Sequence, residues 1–100
     1  MELIEAHKKL INRYRNLIIG KNFTDEKELL GFCDLALDLQ NTDKLSRWVG
    51  YLQGILVERK IVSVESERNW SRPIYKPIYE KLGYDTTTRE VKELSTDGDQ

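Results

Sequence analysis

The stretch KLSRWVGYLQGILVERK, Lys44 to Lys60, decides the fold class, because its apolar residues recur with a clean helical period. On a helical wheel Leu45, Trp48, Val49, Leu52, Ile55 and Leu56 share one side, and Arg47, Gly50, Tyr51, Gly54 and Glu58 share the other. The first set is a core stripe. The second is unusual, since Gly50 and Gly54 each cost a helix about 1 kcal/mol relative to alanine. Two glycines one turn apart, between an arginine and a tyrosine, predict that something approaches this backbone closely.

Working outward, residues 2 to 19 place Leu3, Leu10, Tyr14, Leu17 and Ile18 at spacings of three and four, with Ile4 and Ile11 alongside, and Gly20 is the expected stop. Thr24 or Asp25 is positioned to cap a second helix, with Glu28 completing a capping box from Asp25. Leu29, Leu30, Phe32, Cys33, Ala36, Leu37 and Leu39 give that helix an apolar surface wide enough for two neighbours, which predicts a central place for it. Asn41 to Asp43 form a short turn, with Thr42 or Asp43 as cap of the third helix, so the second and third helices are expected to be antiparallel. Ser63 is the expected cap of a fourth helix. Pro73 lacks an amide donor, so the fourth helix is expected to break or kink there. A fifth short element then runs from Pro73 to Leu82, helical or irregular, and ends at Gly83. The reading is an all-α, small antiparallel bundle of four to five helices over residues 1–83. Residues 84–100, Thr-rich and acidic, read as a flexible tail, with a short helix from Thr88 to Leu94 as an option.

With 100 residues and a formal net charge of −1, the chain makes one domain and offers no global electrostatic case for a nucleic-acid polymer. Charge is unevenly spread, however. Lys44 to Gly83 carries eight basic residues against four acidic, a local balance of +4, whereas the last seventeen residues carry two against five, or −3. A locally basic half suits one or two phosphates better than a duplex. The single cysteine, Cys33, excludes an internal disulfide and reads as core, compatible with a reducing compartment. The sequence has no apolar run of membrane-spanning length, so the expectation is a cytoplasmic protein without a membrane partner.

The chain offers little for catalysis. His7 and Cys33 lie on different helices without a carboxylate cluster at ligand spacing, so no metal or other cofactor is expected, and His7 reads as a helix-surface or edge residue. Neither a nucleophile elbow nor a glycine-rich phosphate loop occurs, and Glu65 and Glu67 sit two apart, pointing to different sides of a helix. A binding surface is the remaining reading. The Gly50/Gly54 spacing marks either a bulky neighbour or a helix contact between copies. Trp48 belongs to the core stripe, while Tyr51, beside Arg47 and flanked by Gln53, is the better stacking residue. A second cluster follows in Arg68, Trp70, Arg72 and Tyr75. Arg68 and Arg72, one turn apart, either share a phosphate through their paired donors or make ion pairs with nearby glutamates. Together with the two aromatic rings they suit a nucleotide.

The run Arg47-Trp48-Val49-Gly50-Tyr51-Leu52-Gln53-Gly54, followed by Val64-Glu65-Ser66-Glu67-Arg68 and by Arg72-Pro73, resembles a group of small accessory proteins of tailed bacteriophages, and within them the anti-CBASS sponges. The likeness covers Lys44 to Gly83. It implies a homodimer or higher homo-oligomer in the host cytoplasm that sequesters a cyclic dinucleotide such as 3′3′-cGAMP without cleaving it. Carried over by position, Arg47, Tyr51, Gln53, Arg68 and Arg72 become the ligand contacts, with Trp48, Trp70 and Tyr75 as further candidates and Gly50 and Gly54 as the helix contact. The competing expectation is a phage protein that inhibits a host protein through the same arginine and aromatic surface, since those residue types also dominate protein hot spots.

Overall fold

The computed structural model describes residues 1–83; the expected tail, 84–100, lies outside the described residues. Four helices follow in order: α1 (Leu3–Ile18), α2 (Glu26–Leu37), α3 (Thr42–Glu58) and α4 (Val64–Lys81). The protein is all-α, as the periodicity predicts. None of the helices among the described residues is long and apolar enough to cross a membrane.

Helix boundaries follow local chemistry. At α1 the Glu2 amide donates to Glu5 Oε1 at 2.9 Å, and the helix stops where Gly20 turns left-handed at φ +83°. Asn41, one residue earlier than expected, caps α3 by accepting the Lys44 amide at 2.9 Å. The α3 terminus is a Schellman turn, with Lys60 donating to Val57 and Ile61 to Leu56, and it forces Lys60 to φ +62°, a conformation usually left to glycine. Ser63 caps α4 as expected: it accepts the Ser66 amide at 2.9 Å, while Ser66 Oγ accepts the Ser63 amide at 3.1 Å.

Two expectations are corrected. The chain does not break at Pro73; α4 is one helix of 18 residues through both Pro73 and Pro77, and no separate fifth element forms. Both prolines are exposed and one turn apart, as is Asn69, so the carbonyls that lose their amide donors face solvent. The opposite face holds Trp70, Ile74 and Tyr75 half-buried and Ile78 buried, and this packing offsets the helix cost. The second correction concerns the centre of the bundle. That helix is α1, which packs against all three others, whereas the remaining helix pairs make only marginal backbone contact. Leu10, Ile11, Tyr14 and Ile18 are all essentially buried, and α1 meets Leu29, Cys33 and Ala36 of α2 and Leu45, Leu52 and Leu56 of α3. The surface of α2 is less fully used than its composition implies, because Leu35 is 61% exposed.

Cross-chain pairs fix the helix directions. Asp25 at the start of α2 holds Arg59 at the end of α3 through two bonds of 2.8 Å, so α2 and α3 run antiparallel. This pairing explains why Asp25 does not cap α2 through its side chain. Its carboxyl is held below the ordinary range by the hydrogen bond from Arg59. Along the other side of α1, His7 meets Tyr75 and Arg13 meets Glu67, so α4 runs antiparallel to α1.

Candidate functional site

The α2 and α3 helices form a shallow hollow of about 270 Å³ lined by Phe32, Arg47, Trp48 and Tyr51. Its walls are three aromatic rings in mutual contact. Phe32 and Trp48 lie 5.4 Å apart between centroids, Trp48 and Tyr51 meet edge-on at 5.7 Å, and Phe32 and Tyr51 edge-on at 6.2 Å. These are favourable aromatic geometries, and they hold the apolar faces at a solvent-open position. Arg47 is exposed at the rim, and Tyr51 is 51% exposed.

Trp48 differs from its expected place. It is half-buried and packs against the edge of the core rather than within it. At 100° per residue it stands on the flank between the core residue Leu52 and the solvent face of Tyr51, which makes it a wall of the hollow. Gln53 stands on the opposite flank of α3, half-buried, and does not line the hollow. The glycine expectation also changes. A Cβ added at Gly50 or Gly54 would meet nothing within 4 Å, so among the described residues no neighbour approaches this backbone.

The second sequence cluster lies elsewhere, along the α1–α4 seam. Glu67 is completely buried and accepts from Arg13 Nη2 at 2.7 Å and Nε at 3.4 Å. The same guanidinium sits 4.5 Å from the centroid of Trp70, so Arg13 covers one face of that ring. Tyr75 Oη and His7 Nδ1 share a 2.6 Å hydrogen bond. Burial raises the Tyr75 phenol well above its ordinary pKa. Tyr14 is buried beside Glu67 without a hydrogen bond of good geometry, and burial, then that negative charge, raise its phenol as well. Arg68 and Arg72 are half-buried on α4, each already interacting within the chain, and neither lines the hollow. The structure therefore brings Arg47 and Tyr51 together with Trp48, and leaves Arg68, Trp70, Arg72 and Tyr75 on another helix.

His7 is 4% exposed, contrary to the expected surface or edge position. It was readable only from its i, i+3, i+4 relation to Leu10 and Ile11. Burial lowers its pKa, so the fold favours the neutral imidazole. Because the unfolded chain then takes up the proton more readily, His7 contributes stability that is complete above its ordinary pKa of about 6.5 and lost as pH falls below it. With a single histidine in the chain, NMR titration assigns the shift directly, and wild-type protein is expected to lose stability below about pH 6.5 more steeply than His7→Gln.

Phe32 is the site residue that sequence reasoning missed. It belongs to the wide apolar surface of α2, and only the surplus of that surface over one core face points to a second use. Cys33, beside it in sequence, is wholly buried, and burial pushes its thiol up to about 11, in keeping with a core role. The chain matches no protein-family model, and no curated protein or solved structure matches it either.

Proposed function

We propose that this protein is a non-catalytic nucleotide sponge that captures a cyclic dinucleotide in the α2–α3 hollow and so withholds an immune signal from its receptor. One observation carries the reading: three contacting aromatic rings face solvent with an arginine at their rim. Rings of this kind stack on bases, each worth about 1 to 3 kcal/mol. The Arg47 guanidinium offers paired donors to a phosphate. The bacteriophage resemblance supplies the ligand class, a cyclic dinucleotide such as 3′3′-cGAMP, and a host-cytoplasmic setting.

A nanomolar sponge needs about −12 kcal/mol. One exposed arginine and one open hollow fall short of that, so the reading requires more than one copy of the chain. The test is thermal unfolding with and without 3′3′-cGAMP, followed by chromatographic recovery of the nucleotide. Ligand at about a hundred times its dissociation constant adds about 2.7 kcal/mol, and hence a rise in Tm of about 10 °C or more for a domain of this size. The nucleotide is expected back intact. If no cyclic di- or trinucleotide shifts Tm, the sponge reading is overturned.

A second reading rests on the 61% exposure of Leu35, one turn along α2 from Phe32, an apolar side chain that suits a protein partner. On that reading the same face inhibits a host protein, and a stoichiometric complex recovered by pull-down, with no nucleotide-induced shift, is the result that selects it.

A further inference from the structure

We propose that α3 pairs face to face and antiparallel with α3 of a second copy, about a twofold axis crossing between Leu52 and Gln53, and that this pairing joins two aromatic hollows into one groove. Arg47, Gly50, Tyr51, Gly54 and Glu58 form a continuous exposed strip along α3. Its pattern is complementary to its own reverse. In this register Arg47 faces Glu58 of the second copy and Tyr51 faces Gly54, and the twofold repeats both contacts.

Charge selects the direction, because a parallel pairing about the same strip would oppose Arg47 to Arg47 and Glu58 to Glu58. Glu58 is not held by its neighbour Arg59, whose terminal nitrogens both bond Asp25. The open space at Gly54 accepts the Tyr51 ring, which is half exposed in a single copy. Exposed ion pairs add little affinity, so Arg47 and Glu58 set register and orientation while Tyr51 supplies the contact area. One helix face is smaller than a standard interface, and the association is accordingly weak and concentration-dependent.

A twofold that reverses helix direction and lays one face on its copy leaves the flank unchanged. Both hollows lie on the α2 flank of α3, so both open on the same side of the seam. At 1.5 Å per residue the two Trp48 positions stand about 13 Å apart along the seam, and the two Tyr51 positions about 4 to 5 Å. The groove then offers two aromatic walls and two arginines in twofold relation. A guanidinium has five donors, so Arg47 can pair with Glu58 on one edge and meet a phosphate on another. The pairing stands on the strip alone; the identity of the groove's ligand as a twofold dinucleotide rests on the sponge reading.

Sedimentation velocity over a concentration series, without nucleotide, tests the pairing. Wild type is expected to shift from monomer to dimer mass. Arg47→Glu and Glu58→Arg alone are each expected to weaken association about tenfold or more, and the two together to restore it to within about threefold of wild type. Gly54→Glu, at a position with open space, is expected to abolish the dimer while keeping the far-UV helical signal, which separates lost pairing from lost folding. A wild-type chain that stays monomeric at millimolar concentration, or a double variant that fails to recover, overturns the proposal. A dimer that binds no nucleotide would instead sink the sponge reading alone, and a nucleotide-binding oligomer whose mass Gly54→Glu leaves unchanged would sink the pairing alone.

Discussion

Arg13→Ala is expected to destabilise the fold by about 3 to 5 kcal/mol, the cost of leaving a buried charge without its partner. The Glu67 side chain is fully buried, and Arg13, 25% exposed, supplies both of its charged hydrogen bonds while covering the Trp70 ring. One truncation thus strips a carboxylate of its counter-charge and uncovers an aromatic face. Because Glu67 and Ile78 are the only residues of α4 that are buried outright, the damage falls on the attachment of α4 to α1. Thermal and urea unfolding followed by circular dichroism are expected to show a drop in Tm of about 12 °C or more. Arg13→Met with Glu67→Met is expected to recover most of the loss, since two apolar side chains of similar length restore packing without a charge to desolvate. A single-variant cost below about 1 kcal/mol would show that Glu67 finds water or another donor, and that α4 is held by its apolar contacts instead.

The same ion pair shows where sequence reading reached its limit. The four helices were legible because their apolar residues recur at three and four, and Ser63 was legible as a cap because its side-chain chemistry is local. The Arg13–Glu67 contact joins residues 54 apart, and nothing about either residue by itself distinguishes it from the many solvent-facing charges of this chain. A buried glutamate is also uncommon, and the sequence offers Glu67 only as one of several glutamates within reach of Arg68 and Arg72. Pro73 misled for a related reason. Its local penalty is real, yet it falls on an exposed face whose carbonyls solvent can satisfy, and the opposite face is packed strongly enough to carry the helix through.

The candidate site was half legible. Arg47 and Tyr51 share a helix face in the sequence, and they share a hollow in the fold. Its third wall, Phe32, comes from α2 and required the tertiary arrangement. Arg68, Trp70, Arg72 and Tyr75 looked like one nucleotide-binding cluster because arginines and aromatics were close in sequence. On a helix, residues that close point in several directions, and here Trp70 and Tyr75 turn toward α1 to meet Arg13 and His7. Closeness in sequence does not put Trp70 on the face that Arg68 and Arg72 share.

Trp48→Ala and Tyr51→Ala are each expected to weaken cyclic dinucleotide capture by about 10- to 100-fold: Trp48→Ala loses one stacked base, and Tyr51→Ala loses the ring that walls the hollow and seats against Gly54 of the second copy. They are expected to differ in stability. Trp48 is packed against the core, so its truncation also lowers Tm, whereas Tyr51 is half exposed and its loss should change the folding free energy of the monomer little, by about 0.5 kcal/mol. Agreement of the two in binding, with disagreement in stability, separates a lost ligand wall from a loosened fold. Arg47→Ala belongs with them, since the phosphate donor lines the same hollow. Arg68→Ala with Arg72→Ala is the discriminating control. Those arginines lie on α4 and outside the hollow, so their joint loss is expected to leave affinity within about threefold, while Arg47→Ala costs about tenfold or more. Isothermal titration with 3′3′-cGAMP reads all of these on one scale. The reverse result, capture lost with Arg68 and Arg72 but retained without Trp48 and Tyr51, would move the phosphate site to α4 and leave the aromatic hollow to a protein partner.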